Sequence, residues 1–195
     1  MVAPKLARRR ALAAAAAGLA AAAVLAGCSN SAGGSSSQGY VNVSAGIAEI
    51  SGAHRTAAPQ LSGTTVAGKA YTTSYTGHVT VINVWGSWCT ACREEAASFA
   101  ETAQKYSAQG VQFLGIDTLD NDAGAQSYES QFGISYPSLA DPDETLVLSL
   151  KSIIPSEGVP STIIVDKTGK VAVRAIGGVT EPELEKELTY ALTGS

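Results

Sequence analysis

The sequence predicts an α/β fold, a central mixed β-sheet flanked by helices. Three observations carry that reading. β-branched apolar runs alternate with segments whose apolar residues recur at helical spacing. The first set reads strand, helix, strand, and the last reads strand, strand, helix. A chain of 195 residues with only three cysteines is long enough to bury a core without a scaffold of disulfides.

Val79–Trp85 is a β-branched, mostly apolar run, the pattern of a strand buried on both faces. Ala96, Phe99, Ala103 and Tyr106 share one helical face and predict a helix from about Cys89 to Ser107, stopped by Gly110. Val111–Asp117 is the next strand, so these two strands pair in parallel through a right-handed crossover. A helical connection follows, with one helix over Asp122 to Phe132, ended by Gly133, and a short one over Asp143 to Leu150. Thr162–Asp166 is a strand, Lys167-Thr168-Gly169 a turn and Lys170 to Ala175 its hairpin partner. Glu181 to Leu192 closes the domain as a helix, with Pro182 in its first turn and Leu184, Leu188 and Ala191 facing inward.

The chain ahead of this pattern divides differently. Lys5, Arg8, Arg9 and Arg10 precede an uncharged run from Ala11 to Ala26, which is short for a permanent membrane span. Leu25-Ala26-Gly27-Cys28 resembles the bacterial lipobox. That resemblance implies a lipoprotein signal peptide over residues 1–27 and a lipid on Cys28, which holds the protein on the extracytoplasmic face of the cell membrane. The run from Ser29 to Gly39 is a flexible linker by composition, and residues 40–60 show no periodicity and read as irregular. Residues 28–60 are therefore expected to be lipidated cysteine and flexible linker, and residues 61–195 the folded domain. A formal charge of −4 excludes the basic surface that nucleic-acid binding requires.

The chemistry lies in Trp88-Cys89-Thr90-Ala91-Cys92, where a strand hands over to a helix. The spacing lets the two sulfurs meet within one helical turn. Cys89 falls at the helix start, where free N–H groups and the macrodipole favour an anion by about 0.3–1 kcal/mol. That interaction lowers the thiol pKa by up to about one unit, and thiolates are what attack disulfides. Cys92 lies one turn deeper and is the less accessible partner. A zinc site would need four ligands, and His54 and His78 show no ligand spacing to the pair, so no metal is expected. Two inert core cysteines would be poorly placed at a helix start beside a tryptophan.

From Leu61 to Thr193 the sequence resembles the thioredoxin superfamily, in particular its exported TlpA/ResA/DsbE-like branch of thiol–disulfide oxidoreductases. The segments that carry the resemblance are Val84 to Arg93 and Gly158-Val159-Pro160-Ser161-Thr162-Ile163-Ile164-Val165-Asp166. It implies a thioredoxin-like fold, a cis bond before Pro160, and a substrate-binding edge made by Trp88, Val159 and Pro160. It also implies proton transfer by a carboxylate after the second strand, for which Asp120 is the nearest match and Asp117 the next. Two positions depart from the pattern. Ala91 stands where many relatives have proline, and Asn83 stands where thioredoxin has a buried acid. Arg93, Glu94 and Glu95 read as an exposed helix face.

The resemblance further implies the reaction: reduction of disulfides in exported proteins such as apocytochrome c, with electrons from a membrane thiol carrier and no cofactor. A DsbE-type oxidase would run the same chemistry backwards. A peroxiredoxin-like peroxidase would need proline at position 82 and serine or threonine at position 86, where Ile82 and Gly86 stand. A non-enzymatic lipoprotein would have no use for a reactive cysteine pair.

Overall fold

The computed structural model describes residues 40–44, 46–155 and 158–194. The expected signal peptide, Cys28 and the linker through residue 39 lie outside the described residues. In chain order the strands are β1 (Tyr40–Ser44), β2 (Ile47–Ile50), β3 (Ser62–Thr64), β4 (Ala70–Thr72), β5 (Val79–Trp85), β6 (Val111–Thr118), β7 (Ser138–Asp141), β8 (Ser161–Val165) and β9 (Val171–Ile176). The helices are α1 (Thr90–Ser107), α2 (Asp122–Phe132), α3 (Thr145–Ser149) and α4 (Glu181–Thr193).

β5 is buried at every position and lies in the interior of a seven-stranded sheet of order β1-β2-β9-β8-β5-β6-β7. It pairs in parallel with β6, from Val79 opposite Val111 to Trp85 opposite Asp117. On its other side it pairs antiparallel with β8, from Thr80 opposite Val165 to Val84 opposite Ser161. The sheet is therefore mixed, as predicted. Alternation along β5 sends its side chains to two cores. Val79 and Val81 pack with Phe99 of α1 and with Leu184 and Leu188 of α4, while Ile82 and Val84 pack with Ile163, Leu139 and Leu150 on the opposite face.

The helix boundaries follow their caps. Asn121 accepts the Gly124 N–H at 3.0 Å to start α2, and Gly133 ends it in the left-handed conformation at φ 67°. Thr180 and Glu183 form a capping box at the start of α4.

Two expectations are corrected. Residues 40–60 are not irregular: β2 joins the sheet antiparallel to β9, with Ile47 opposite Ala175, and β1 adds to the outside of β2. The ordered domain thus starts well before Leu61. A four-residue strand shows too few alternations to stand out, and Ile47 and Ala48 are buried by pairing partners more than a hundred residues away. The helical connection also contains a strand, β7, parallel to β6 with Gly115 opposite Ser138. It too has four residues, and α3 is correspondingly shorter than expected.

Arg55 fastens the N-terminal segment to the far end of the chain. Its Nε donates to the Ile50 carbonyl at 3.0 Å, its Nη1 to Asp166 Oδ2 at 3.0 Å, and its guanidinium lies 5.1 Å from the Tyr190 ring centroid. The Asp166 carboxylate also accepts the Thr168 and Lys170 N–H groups, so the β8–β9 turn is part of the same knot. Removing one partner of a buried pair leaves the other short of solvation. Arg55→Ala should therefore lower stability by about 3 kcal/mol, read as a shift in urea midpoint at unchanged slope. A loss below about 0.5 kcal/mol, the size of an ordinary surface substitution, would show that Arg55 does not anchor this segment.

Candidate active site

The site forms where β5 ends and α1 begins. Gly86, Ser87 and Trp88 turn the chain, with the Cys89 N–H donating to the Gly86 carbonyl at 3.0 Å. Cys89 is the N-cap of α1, in extended backbone, and its sulfur accepts the Cys92 N–H at 3.1 Å. The two cysteines form a disulfide across 5.3 Å between Cα atoms. Cys89 is 6% exposed and Cys92 is fully buried, the order of access that their positions in the helix predict.

The floor under the pair is aromatic. Trp85 stacks on Tyr128 of α2 at 4.2 Å between centroids, and the Tyr128 hydroxyl donates to the Cys92 carbonyl at 2.8 Å. Trp88 lies on top and is half exposed, its indole N–H donating to the Thr118 carbonyl at 3.1 Å. Only glycine fits beneath that ring. A Cβ on Gly86 would lie 2.7 Å from Trp88 Cε2 and 3.1 Å from the Thr118 carbonyl oxygen. The Val159–Pro160 bond is cis, and Val159 packs against the cluster that holds Cys89 and Cys92. Cys89, Cys92, Trp88 and Val159 are thus brought to one end of the sheet, with Pro160 buried next to Val159.

Glu95 corrects the expected exposed helix face. Glu94 is exposed and Arg93 half-buried, reaching Gln131 at 2.8 Å, but Glu95 is buried and turned towards the sheet. Its Oε1 accepts the Asn83 amide at 2.9 Å and its Oε2 the Val179 N–H at 2.9 Å. Burial pushes its pKa up to about 7, against the opposing pull of those two hydrogen bonds. The signal was available at Asn83. A polar amide in a strand buried on both faces needs a partner, and position 95 shares the inner face of α1 with Cys92 and Ala96. The acid that Asn83 lacks is supplied by the helix opposite it.

The other two carboxylates flank the turn. Asp117 is the penultimate residue of β6, opposite Trp85, and is buried, and Asp120 is half-buried in the loop beyond. Asp120 Oδ2 accepts the Ser87 N–H at 2.6 Å and Oδ1 accepts the Asn121 N–H at 2.8 Å. The two carboxyls are close enough to act on each other's protonation. Burial, and then the Asp120 charge, push Asp117 up to about 8. For Asp120 burial acts upward too, but hydrogen bonds from Ser87, Asn121 and Asp117 outweigh it and hold the group below its usual value. The α2 helix presses on this arrangement through Gly124, where a Cβ would meet Asp120 Oδ1 at 2.6 Å and Ser87 Oγ at 2.8 Å.

A cysteine pair closing the first turn of a helix, on a central mixed sheet with a cis-proline loop beside it, defines a thioredoxin-like domain. Residues 55–174 match the AhpC/TSA family, and the chain belongs to that family. The thiol–disulfide oxidoreductase ResA of Bacillus anthracis is 31% identical over 107 residues, 53% of this chain and 58% of that protein. The thiol:disulfide interchange protein HelX of Rhodobacter capsulatus is 30% identical over 120 residues, 61% of this chain and 64% of that one. The match therefore spans less than two thirds of either relative. Among solved structures, a DsbF homologue from Corynebacterium diphtheriae superimposes with a TM-score of 0.69 at 26% identity, covering 74% of this chain and 92% of that one. A secreted thiol-disulfide isomerase from Corynebacterium glutamicum gives 0.68 at 26% identity, covering 76% and 91%.

The peroxidase motif has no place at this turn. Ile82 is fully buried in the central strand, where proline would remove a ladder hydrogen bond, and Gly86 is covered by the Trp88 ring.

The Glu95 carboxyl gives a measurable pH dependence. Its folded pKa of about 7 lies above the ordinary 4.5, so the folded chain holds a proton that the unfolded chain releases. The associated stability is fully present below about pH 4.5 and is lost as pH rises through about 7, on the order of 3 kcal/mol in all. Denaturant titrations of the oxidised protein at several pH values should show this decline added to the one that Asp117 contributes through about pH 8, and Glu95→Gln should make the curve shallower without abolishing it. Equal slopes in the two proteins would mean that Glu95 ionises normally.

Proposed function

We propose that this protein is a membrane-anchored, extracytoplasmic thiol–disulfide oxidoreductase that reduces disulfides in exported proteins, apocytochrome c among them. The observation that carries the reading is the Cys89–Cys92 disulfide, with Cys89 capping α1 at the rim and Cys92 sealed beneath it. The names of ResA, HelX and the two corynebacterial neighbours support the reaction class. The resemblance of the cysteine and Pro160 segments to the TlpA/ResA/DsbE branch supports the reductive direction.

The reaction begins with the reduced pair. Cys89 thiolate attacks one sulfur of a substrate disulfide, forming a Cys89–substrate bond and releasing the other substrate sulfur as a thiolate. Cys92, deprotonated, then attacks Cys89, closes the Cys89–Cys92 bond and releases the second substrate thiol. The substrate gains two electrons and the protein loses two; a membrane thiol carrier restores the dithiol. Glu95 lies one turn beyond Cys92 on the same helix face, and a carboxyl with a pKa of about 7 is suited to take the Cys92 proton. Asp120 is tied to the Ser87 N–H in the turn before Cys89, and neighbouring Asp117, pushed up to about 8, is suited to neutralise the departing thiolate. Trp88, Val159 and Pro160 form the edge along which the substrate chain lies. Membrane attachment is through lipid on Cys28. Among the described residues no helix is long and apolar enough to cross a membrane.

Two variants test the assignment. Cys92→Ser leaves an attacking thiolate and no resolving thiol, so mixed disulfides should accumulate, and mass spectrometry of the trapped species identifies the substrate. Cys89→Ser should trap little, because Cys92 is fully buried. Trapping by Cys89→Ser alone would reverse the two roles.

Anchoring is tested separately. Cys28→Ser should move the protein from the membrane fraction to the soluble fraction or leave it unprocessed. A variant that is processed normally and stays membrane-bound would sink the lipid-anchor proposal.

A further inference from the structure

We propose that Trp85, Asp117 and Ser138 hold one buried water over Gly115, and that this water and the Ser138 hydroxyl pass protons between Asp117 and Glu129 on the solvent side of α2. The use of this route in turnover rests on the oxidoreductase reading; its existence does not.

The three groups share one face of the sheet. Trp85 lies opposite Asp117 in the β5–β6 register, and Gly115 lies opposite Ser138 in the β6–β7 register. All three side chains are buried, and Trp85 Nε1, Asp117 Oδ1 and Ser138 Oγ have no hydrogen-bond partner among the described residues. An orphaned buried polar atom is costly, so three in one place call for a common partner. Gly115 lets two of them meet. A Cβ there would overlap Ser138 Oγ and lie 2.6 Å from Trp85 Nε1. Asp117 stands two residues further along β6, on the same face. An indole N–H that only donates, a carboxyl oxygen that accepts and a hydroxyl that does both match one water, which commonly makes about three hydrogen bonds.

The far side of this row opens on solvent. A cavity of about 840 Å³ lies between the turn after β3 and helix α2, with Val66, Asp122, Glu129 and Ala140 in its wall. Two of those residues adjoin the orphaned groups. Ala140 is opposite Asp117 in register, and the Val66 N–H donates to the Ser138 carbonyl at 2.8 Å. Glu129 spans the boundary: it is half-buried, burial raises its pKa, and the Ser138 hydroxyl opposes that rise. The charges that act on Asp117 are Asp120 in the loop and Asp122 and Glu129 on α2, and all three favour its protonated form. From α1, Arg93 and Glu95 act on the neighbouring Tyr128. When Asp117 gives its proton to a departing thiolate, the substrate covers the front of the site. The water then gives a proton to Asp117 and takes one from the Ser138 hydroxyl, which takes one from Glu129, which takes one from solvent. One proton moves along the row and no electrons are transferred.

The test reads the Asp117 carboxyl directly. Infrared spectra of the oxidised protein at about pH 6, below the Asp117 pKa of about 8, should show a carboxylic C=O band that Asp117→Asn removes. On rapid mixing into heavy water the band shifts as O–H becomes O–D. Ser138→Ala and Glu129→Gln should shift about a hundredfold more slowly than the wild type, the low end of what a positioned proton-transfer group contributes. Glu129→Asp keeps a carboxyl and should recover most of the rate. Ser130→Ala, on the cavity wall but off the route, should exchange like the wild type. In NMR spectra the Trp85 indole proton should show cross-relaxation with a bound water. A wild-type rate in Ser138→Ala or Glu129→Gln overturns the inference, as does a Glu129→Asp as slow as Glu129→Gln or a Ser130→Ala as slow as either. So does an Asp117→Asn that removes no band, or a Trp85 indole without a bound water. A protein that shows the expected pattern yet reduces no disulfide keeps the route and overturns the oxidoreductase reading.

Discussion

The hydrogen bond from the Cys92 N–H to the Cys89 sulfur sets the terms for the rest of the structure. It makes the reactive sulfur the cap of α1, so the position of that helix and the position of the chemistry are one variable. The helix must therefore begin at the end of the central strand, and the strand must be buried on both faces to hold it there. β5 meets that demand with parallel β6 on one side and antiparallel β8 on the other. The helix start also supplies an electrostatic bias that favours sulfur as an anion.

Around that constraint the protein distributes its acids by depth. Glu95 lies beneath the sealed cysteine, in a setting where burial holds a proton to near neutrality. Asp117, which burial and the Asp120 charge keep protonated to about pH 8, lies near Asp120 beside the turn that precedes the accessible cysteine. The buried amide of Asn83 links the sheet to the first of these, and the β6–α2 loop links the sheet to the second.

Much of this was legible from residue order. β5, β6, α1, α2, the β8–β9 hairpin and α4 each show either a long apolar run or a helical stripe with a cap, and the cysteine spacing announces itself. The parts that were hidden are hidden for physical reasons. β2 and β7 are four residues long, and their partners, not their own periodicity, make them strands. Glu95 stands between Glu94, which is exposed, and Ala96, which is buried. A run of three charged residues reads as a solvated face, because periodicity sorts apolar from polar and does not flag the one polar residue that turns inward. Only the demand made by Asn83 distinguishes it. Asp117 is named from the resemblance, but its burial is not written in the residue order.

The bare backbone at Gly86 has a consequence for how this turn varies. The indole of Trp88 occupies the volume that any side chain at position 86 would need. The two positions therefore form a single unit of inheritance. A larger residue at 86 is excluded while the ring is present, and once the ring is gone its Cβ still has to accommodate the Thr118 carbonyl oxygen at 3.1 Å. Substitution scanned one position at a time would score Gly86 as indispensable in its own right, when what it supplies is room for its neighbour. Drift at this turn has to proceed through paired change, and the order is fixed: the tryptophan must leave before the glycine can.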